Sequence, residues 1–467
     1  MGAGESKGKE PEILNVFTPE ERQNIHKLYR HIISSQTVLT EPFLKKYLYQ
    51  WSDLEPVVFS AVCNCNANKG TIQDGKISEI HFGTFLAQTL KGTHAERADI
   101  VCLLSGQEYG GQEYGSVQLR RLYQTVFSVV KYYTLLGESD DPRATWKTDI
   151  KDDDISRIAL SFLSLQTLSE TENEQDRKCQ YDVEQWISKC PMFSKMFDRV
   201  FTAMFPIIAK DSLHDICQSM LPIASNIDWT KSTTLLDTLS ISFINYHLPR
   251  EHQSIWRFLY SNSLHGDSFS QLTRYILGKG PNVILVQDKQ GHLFGAYVSD
   301  SWEIKPTFYG NSTCFLFSLK PKFGIYSATG YNENYMYFNQ GQETMPNGLG
   351  LGGQLNYFGL WIDYTFNSGH SKAVPKCTTY GSPQLSGSSE FVVDHIEVWA
   401  VGPEKKSDDS DDEDVKTSIL DKDVAAKAIL ELAGKKQHSE GLRELAEDEK
   451  EMTEEEKKKF NTIPKLL

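Results

Sequence analysis

Apolar residues recur at helical spacing from residue 18 onward. Ile25, Leu28, Tyr29, Ile32 and Ile33 fall on one stripe, Thr18 stands where a cap is needed, Pro19 suits a first turn, and Glu21 completes a capping box. The same periodicity predicts helices over 54–62, 82–90, 117–133, 155–165 and 181–205, with a polar loop at 169–178, so the first 230 residues read as all-helical. Segments 235–246, 253–260 and 268–277 continue as helices. Short β-rich runs follow at 283–287, 293–298, 315–319, 335–338, 358–366 and 392–401, separated by Gly, Pro and Asn turns. Such runs predict antiparallel sheets packed face to face with helices at their flanks, and the fold class is α+β.

Past residue 401 the pattern changes. The acidic run from Ser407 to Asp414 cannot pack and reads as solvated linker. A helix is predicted over 418–434, stopped by Gly434. Leu420, Val424, Ala428 and Leu432 recur on it at four-residue steps, and Ile419 and Ile429 widen the apolar face. That face reads as a partner-binding surface. The resulting division is a disordered start at 1–17, helical regions at 18–115 and 116–231, a sandwich at 232–402, a linker at 403–417, the partner helix at 418–434 and a charged tail at 435–467.

Composition narrows the chemistry. The chain has 467 residues, 39% of them hydrophobic and 24% charged, so it can bury a sizeable core. A net charge of -14 opposes nucleic acid as a partner, because phosphate neutralisation needs clustered Lys and Arg. No stretch approaches the ~20 consecutive apolar residues of a bilayer-spanning helix. Eight scattered cysteines are too dilute for a disulfide scaffold, which places the chain in a reducing, cytoplasmic setting. The opening Met1-Gly2-Ala3-Gly4-Glu5-Ser6 fits the myristoylation pattern, with Gly2 as the acylated residue. One myristoyl chain gives only reversible membrane binding, on the order of 10⁴ M⁻¹, so residence at a membrane needs a second attachment.

Candidate sites are few. The segment from Asn64 to Asp74, lying between two predicted helices and carrying Asn64, Asn66, Asn68 and Asp74, looks like a degenerate EF-hand calcium loop. Counted from Asn64, the sixth position is Lys69 where glycine is required; counted with Gly75 as sixth, the twelfth is His81 where a bidentate Glu is required. Neither register makes a calcium site. Cys63 and Cys65 lack a second pair for zinc. Gly348-Leu349-Gly350-Leu351-Gly352-Gly353 satisfies the letters of a dinucleotide fingerprint without the strand before and helix after it, and reads as a flexible loop. His265, Asp267 and Ser268 share one turn and read as a capped turn, with Ser268 as the cap, in preference to a triad. No catalytic residue, metal or cofactor is assigned.

Six ordered blocks then carry a resemblance: Leu264-His265-Gly266-Asp267-Ser268-Phe269, Phe294-Gly295-Ala296-Tyr297, Phe308-Tyr309-Gly310, Cys314-Phe315-Leu316-Phe317, Gly359-Leu360-Trp361-Ile362-Asp363 and Ile396-Glu397-Val398-Trp399-Ala400. Together they resemble the TLDc domain family. The MG start, the calcium-loop-like helices and the segments around Ile419 and Leu442 resemble the lysosomal, mTOR-linked branch of that family, from which the chain departs in its expanded acidic linker and longer charged tail. The resemblance implies a non-enzymatic regulatory adaptor, peripheral on the lysosomal membrane, with the cytosolic sector of the vacuolar-type proton ATPase and mTOR pathway components as partners. Two alternatives stay open: a peroxide-consuming oxidation-resistance protein, with Cys377 and then Cys314 as candidate thiols, and a calcium-responsive adaptor.

Overall fold

A computed structural model describes residues 12–34, 36–65, 75–106, 116–139, 146, 150–164, 177–208 and 220–404. Thr18 caps the first helix as its sequence requires, its hydroxyl accepting from Glu21 N–H at 3.2 Å while Glu21 Oε2 accepts from Thr18 N–H at 2.9 Å. Nine helices are described before residue 208: α1 (Pro19–Ile33), α2 (Glu41–Tyr47), α3 (Glu55–Asn64), α4 (Glu79–Leu90), α5 (His94–Leu104), α6 (Leu119–Ser139), α7 (Asp152–Ser164), α8 (Gln180–Lys189) and α9 (Pro191–Met204). The single helix expected over 181–205 is two. Pro191 offers no N–H and pushes the preceding Cys190 out of helical geometry, to φ -121° and ψ 62°. Nor is the helical half free of strands, since β1 (Ser116–Gln118) pairs antiparallel with β2 (Arg177–Cys179), a ladder too short to show alternation in sequence.

The sheet region begins at β3 (Ile223–Ser225), followed by α10 (Thr238–His247) and β4 (Ile255–Ser261). The helix expected over 253–260 is therefore a strand. Trp256, Phe258 and Tyr260 alternate inward at period two, and β4 is held between β3 and the last strand of the domain. Helices α11 (Asn262–His265) and α12 (Phe269–Ile276) lead into β5 (Asn282–Asp288), β6 (Leu293–Val298), β7 (Lys305–Tyr309), β8 (Phe315–Lys320), β9 (Gly324–Ser327), β10 (Met336–Asn339), β11 (Gly348–Gln354), β12 (Tyr357–Asp363), β13 (Ser368–His370) and β14 (Glu390–Val401). The strand order is β7-β10-β11-β12-β13-β14-β5-β6-β8-β9, with β4 also on β14. The long β14 serves two sheets: Glu390 to Val392 pair with β13, and the remainder pairs with β5 and β4.

Between the two sheets lies one core, where Ile284, Val286, Phe294, Ala296 and Leu316 meet Met336, Phe338, Leu349, Leu351, Leu360 and Ile362. The other face of β5, β6 and β8 presents Val283, Leu285, Tyr297, Phe315 and Phe317 to a second core that continues through the helices to Phe17. Burial on both faces is why these strands read as unbroken apolar runs. Trp146 joins this core, 4.8 Å from Trp399 and 5.9 Å from both Trp229 and Trp256, with its N–H donated to Pro222 O at 2.8 Å.

The glycine run at 348–353 is strand β11 and not a flexible loop. A β-carbon at Gly350 would lie 2.5 Å from the Phe358 ring and 3.0 Å from Trp361. Glycine here lets aromatic rings lie flat on the sheet.

Candidate functional site

Most of the sites expected from sequence, namely Gly2, Asn66, Asn68, Asp74, Ile419, Leu420, Val424, Ala428, Ile429 and Leu432, lie outside the described residues. Asn64 ends α3, where its side-chain Nδ2 donates back to Ser60 O at 2.9 Å. Gly75 takes φ +61°, the turn-making conformation, and Ile77 bridges to Leu39 through hydrogen bonds of 2.8 and 3.0 Å. Tyr29 OH reinforces the bridge, donating to Ile77 O at 2.8 Å. With Gly75 as the sixth position, His81 stands at the twelfth, and its Nδ1 lies 2.7 Å from Ser78 Oγ where calcium would need a bidentate carboxylate. Among the described residues no group of three or more His, Cys, Asp or Glu is arranged to hold a metal.

The two helix pairs around this bridge grip their own chain. Phe205, fully buried after α9, packs its ring 5.7 Å from Phe82, 6.1 Å from Phe85 and 6.2 Å from Tyr47. Tyr47 OH donates to Met204 O at 2.9 Å and Asn24 Nδ2 to Ile207 O at 3.2 Å. An apolar surface that a calcium sensor would expose to a target is occupied in cis.

In the sandwich, His265, Asp267 and Ser268 do not converge on one another. His265 Nδ1 accepts from Ser261 N–H at 3.1 Å, and its ring packs 4.2 Å from Tyr275 and 5.6 Å from Tyr260. Burial lowers its pKa, against the opposing effect of the Ser261 backbone hydrogen bond. Asp267 Oδ1 accepts from Asn262 Nδ2 at 2.7 Å. Ser268 occupies the position before α12, yet its side chain makes no capping hydrogen bond, so its expected role as a cap is not realised.

A different set of polar groups, which sequence reasoning missed, gathers where β12, β13 and β14 meet the β5–β6 turn. Asp288, 1% exposed, organises that turn: Oδ1 accepts from Gln290 and His292 N–H, both at 2.9 Å, and Oδ2 accepts from Ser386 Oγ at 2.6 Å. Opposite it, His370 stacks against Trp361 at 5.9 Å and 25°, and Trp361 stacks on Phe358 at 4.5 Å and 20°. His370 Nε2 is sealed from solvent and has no hydrogen-bond partner, an arrangement that costs about 1–3 kcal/mol. Burial and the nearby Lys372 push its pKa down to about 4, although Glu390 and Asp363 act in the opposite sense. An Asp and a Glu at strand ends carry no sequence signal that would mark this place.

The sequence pattern that defines the TLDc domain matches residues 229–402, from just before α10 to the end of β14. The mTOR-associated protein MEAK7 of Xenopus laevis is 34% identical over 473 residues, covering 96% of this chain and 100% of that protein. Its counterpart in Gallus gallus is 36% identical over 459 residues, covering 93% of this chain and 97% of that one. This chain belongs to the MEAK7 family of TLDc proteins. Oxidation resistance protein 1 of Xenopus laevis is 35% identical over 170 residues, 36% of this chain and 19% of that protein, so what is shared with it is confined to a stretch of about sandwich length.

That last likeness makes the thiols of this family member worth placing. Cys377 is 1% exposed, its sulfur wedged where β-carbons on Gly352 and Gly359 would lie 2.8 and 2.9 Å away. Cys314 is fully buried beside Ser299, and burial raises its pKa. Cys65, Cys102 and Cys190 are pushed up to about 12 by burial. A buried thiol kept protonated is a poor nucleophile towards peroxide. Among the described residues no helix is long and apolar enough to cross a membrane.

Proposed function

We propose that this chain is a non-enzymatic regulatory adaptor, peripheral on the lysosomal membrane, that binds the cytosolic sector of the vacuolar-type proton ATPase and takes part in mTOR signalling. The observation that carries the reading is its similarity, over nearly the full length, to proteins named as mTOR-associated. The proton-pump and lysosomal parts rest on the TLDc resemblance. The adaptor reading is supported by the fate of the candidate chemical groups: His265 gives Nδ1 to a backbone amide, and Cys314 and Cys377 are packed away from solvent. In this reading Gly2 carries the lipid and the 418–434 helix, on its 403–417 linker, supplies the second attachment; two weak links on one chain multiply into useful avidity.

The experiment is recovery of tagged full-length chain from lysosomal membranes with mass spectrometry of what accompanies it. Proton-pump cytosolic subunits and mTOR components should be enriched; folded protein recovering neither would overturn the proposal. Deleting residues 415–467 should weaken pump binding at least tenfold, ~1.4 kcal/mol, with the sandwich melt nearly unchanged. Gly2→Ala should reduce membrane recovery without abolishing it.

A further inference from the structure

Between the β5–β6 turn and strands β12 to β14 lies an open cavity of about 440 Å³, lined among others by Asp288, Trp361, Asp363, His370, Glu390 and Phe391. That volume is at the lower end of the ~300–1,000 Å³ typical of ligand sites and suits one side chain better than a nucleotide. Three carboxylates line it against the ammonium of Lys289, with the Lys372 ammonium paired to one of them, Glu390. The negative charge of Asp288 is locked in place by two backbone N–H groups and the Ser386 hydroxyl, with the His292 ring 3.1 Å away. Asp363 Oδ1 accepts from Thr365 N–H at 2.9 Å, and Glu390 Oε1 lies 2.6 Å from Lys372 Nζ. Among the described residues the second oxygen of each of these two carboxylates has no protein donor.

We propose that this cavity is a receptor site for a cationic side chain, an arginine presented by a partner protein, held between the partly exposed ring of His370, which is backed by the buried Trp361, and the carboxylates of Asp363 and Glu390. Carboxylates in excess of cations select for positive charge. The His370 ring selects arginine over lysine, because a planar guanidinium stacks on a ring while its five N–H groups fork towards carboxylates. The site uses none of residues 418–434, and the inference stands whether or not the proton pump supplies the arginine.

The test uses the full chain labelled with 5-fluorotryptophan, its eight indoles giving separate ¹⁹F lines and Trp361→Phe identifying the line of interest. N-acetyl-arginine amide, N-acetyl-lysine amide and N-acetyl-glutamate amide are titrated in turn. The Trp361 line should shift saturably with the arginine amide, with Kd on the order of 1–10 mM, more weakly with lysine, and not with glutamate. Asp363→Asn, which keeps an oxygen for Thr365 N–H, should weaken arginine binding about fivefold or more. The other fluorotryptophan lines report folding of each variant; if Asp363→Asn does not fold, Glu390→Gln is read in its place. No saturable shift by about 50 mM arginine amide, an equal shift with glutamate, lysine binding more tightly than arginine, or a folded carboxamide variant that binds unchanged would each overturn the proposal.

Discussion

Gly350→Ala tests why glycine recurs along β11. The added methyl would stand 2.5 and 2.6 Å from Phe358 Cε1 and Cδ1 and 3.0 Å from Trp361 Cε3, about 1 Å inside the ~3.5–4.0 Å of ordinary carbon contact. Neither ring can retreat freely. They stack on each other at 4.5 Å, Phe358 is bounded by Tyr337 at 5.6 Å and Phe308 at 5.8 Å, and Trp361 is 5% exposed. Overpacking of this kind costs about 1–3 kcal/mol. Alanine in place of glycine within a strand returns ~0.5–1 kcal/mol of backbone entropy. The net loss is about 1–2 kcal/mol, and at ~2–4 °C per kcal/mol for a domain of this size the melt should fall by about 2–8 °C. Differential scanning calorimetry reads it directly. Pairing Gly350→Ala with Phe358→Leu should recover part of the loss, since residues in contact depart from additivity by ~0.5 kcal/mol or more. A Gly350→Ala protein as stable as its parent would refute the packing argument, and one that instead lost affinity for a dinucleotide at unchanged melting temperature would return the glycines to phosphate binding.

Three further outcomes are expected. Phe205→Ala should cost about 3–5 kcal/mol in urea unfolding, and millimolar calcium should leave the parent's dye-accessible apolar surface unchanged; micromolar calcium binding lost on Asp74→Ala would contradict this. In a Cys217→Ser background, Ellman's reagent should modify the exposed Cys179 roughly 100-fold faster than Cys314 or Cys377, and equal rates at Cys377 would reopen peroxide chemistry. His370, with its folded pKa lowered to about 4 against ~6.5 unfolded, lets the unfolded chain take the proton first. Its contribution is therefore fully present above pH ~6.5 and is lost progressively towards pH 4, so the urea midpoint of the parent should fall more between pH 7 and pH 5 than that of His370→Gln; equal falls would sink the assignment.

Several elements were legible because their causes are local. The capping box of α1 joins residues three apart, and the burial stripe from Ile25 to Ile33 lies on one helix face. Strands β5, β6 and β8 announced themselves by unbroken apolar runs, and β6 has the predicted bounds. Where reading failed, the deciding contact was remote. Residues 253–260 carry aromatic rings that suit helix or strand equally, and β14, about 140 positions later, decides for strand. The glycines of β11 look like a loop until the rings they accommodate are brought over them.

From the sequence came the α+β class, the bounds of a few helices such as Pro19–Ile33 and Phe269–Ile276, the TLDc-type sandwich after a helical half, and the missing carboxylate of the calcium-loop pattern, whereas the helices at Glu41–Tyr47 and His94–Leu104 went unread. Tertiary structure alone decided that the EF-hand-like pair closes on Phe205, that the sandwich shares a core with the helices, and that Asp288, Asp363, His370 and Glu390 line one cavity. The physical reason is range. Helical period and caps act within about four residues, whereas Ser386 reaches Asp288 across 98 positions and Thr234 reaches the buried Glu397 across 163. No periodicity in a single chain encodes which carboxylates will meet over such separations; only the packed sheets bring them together.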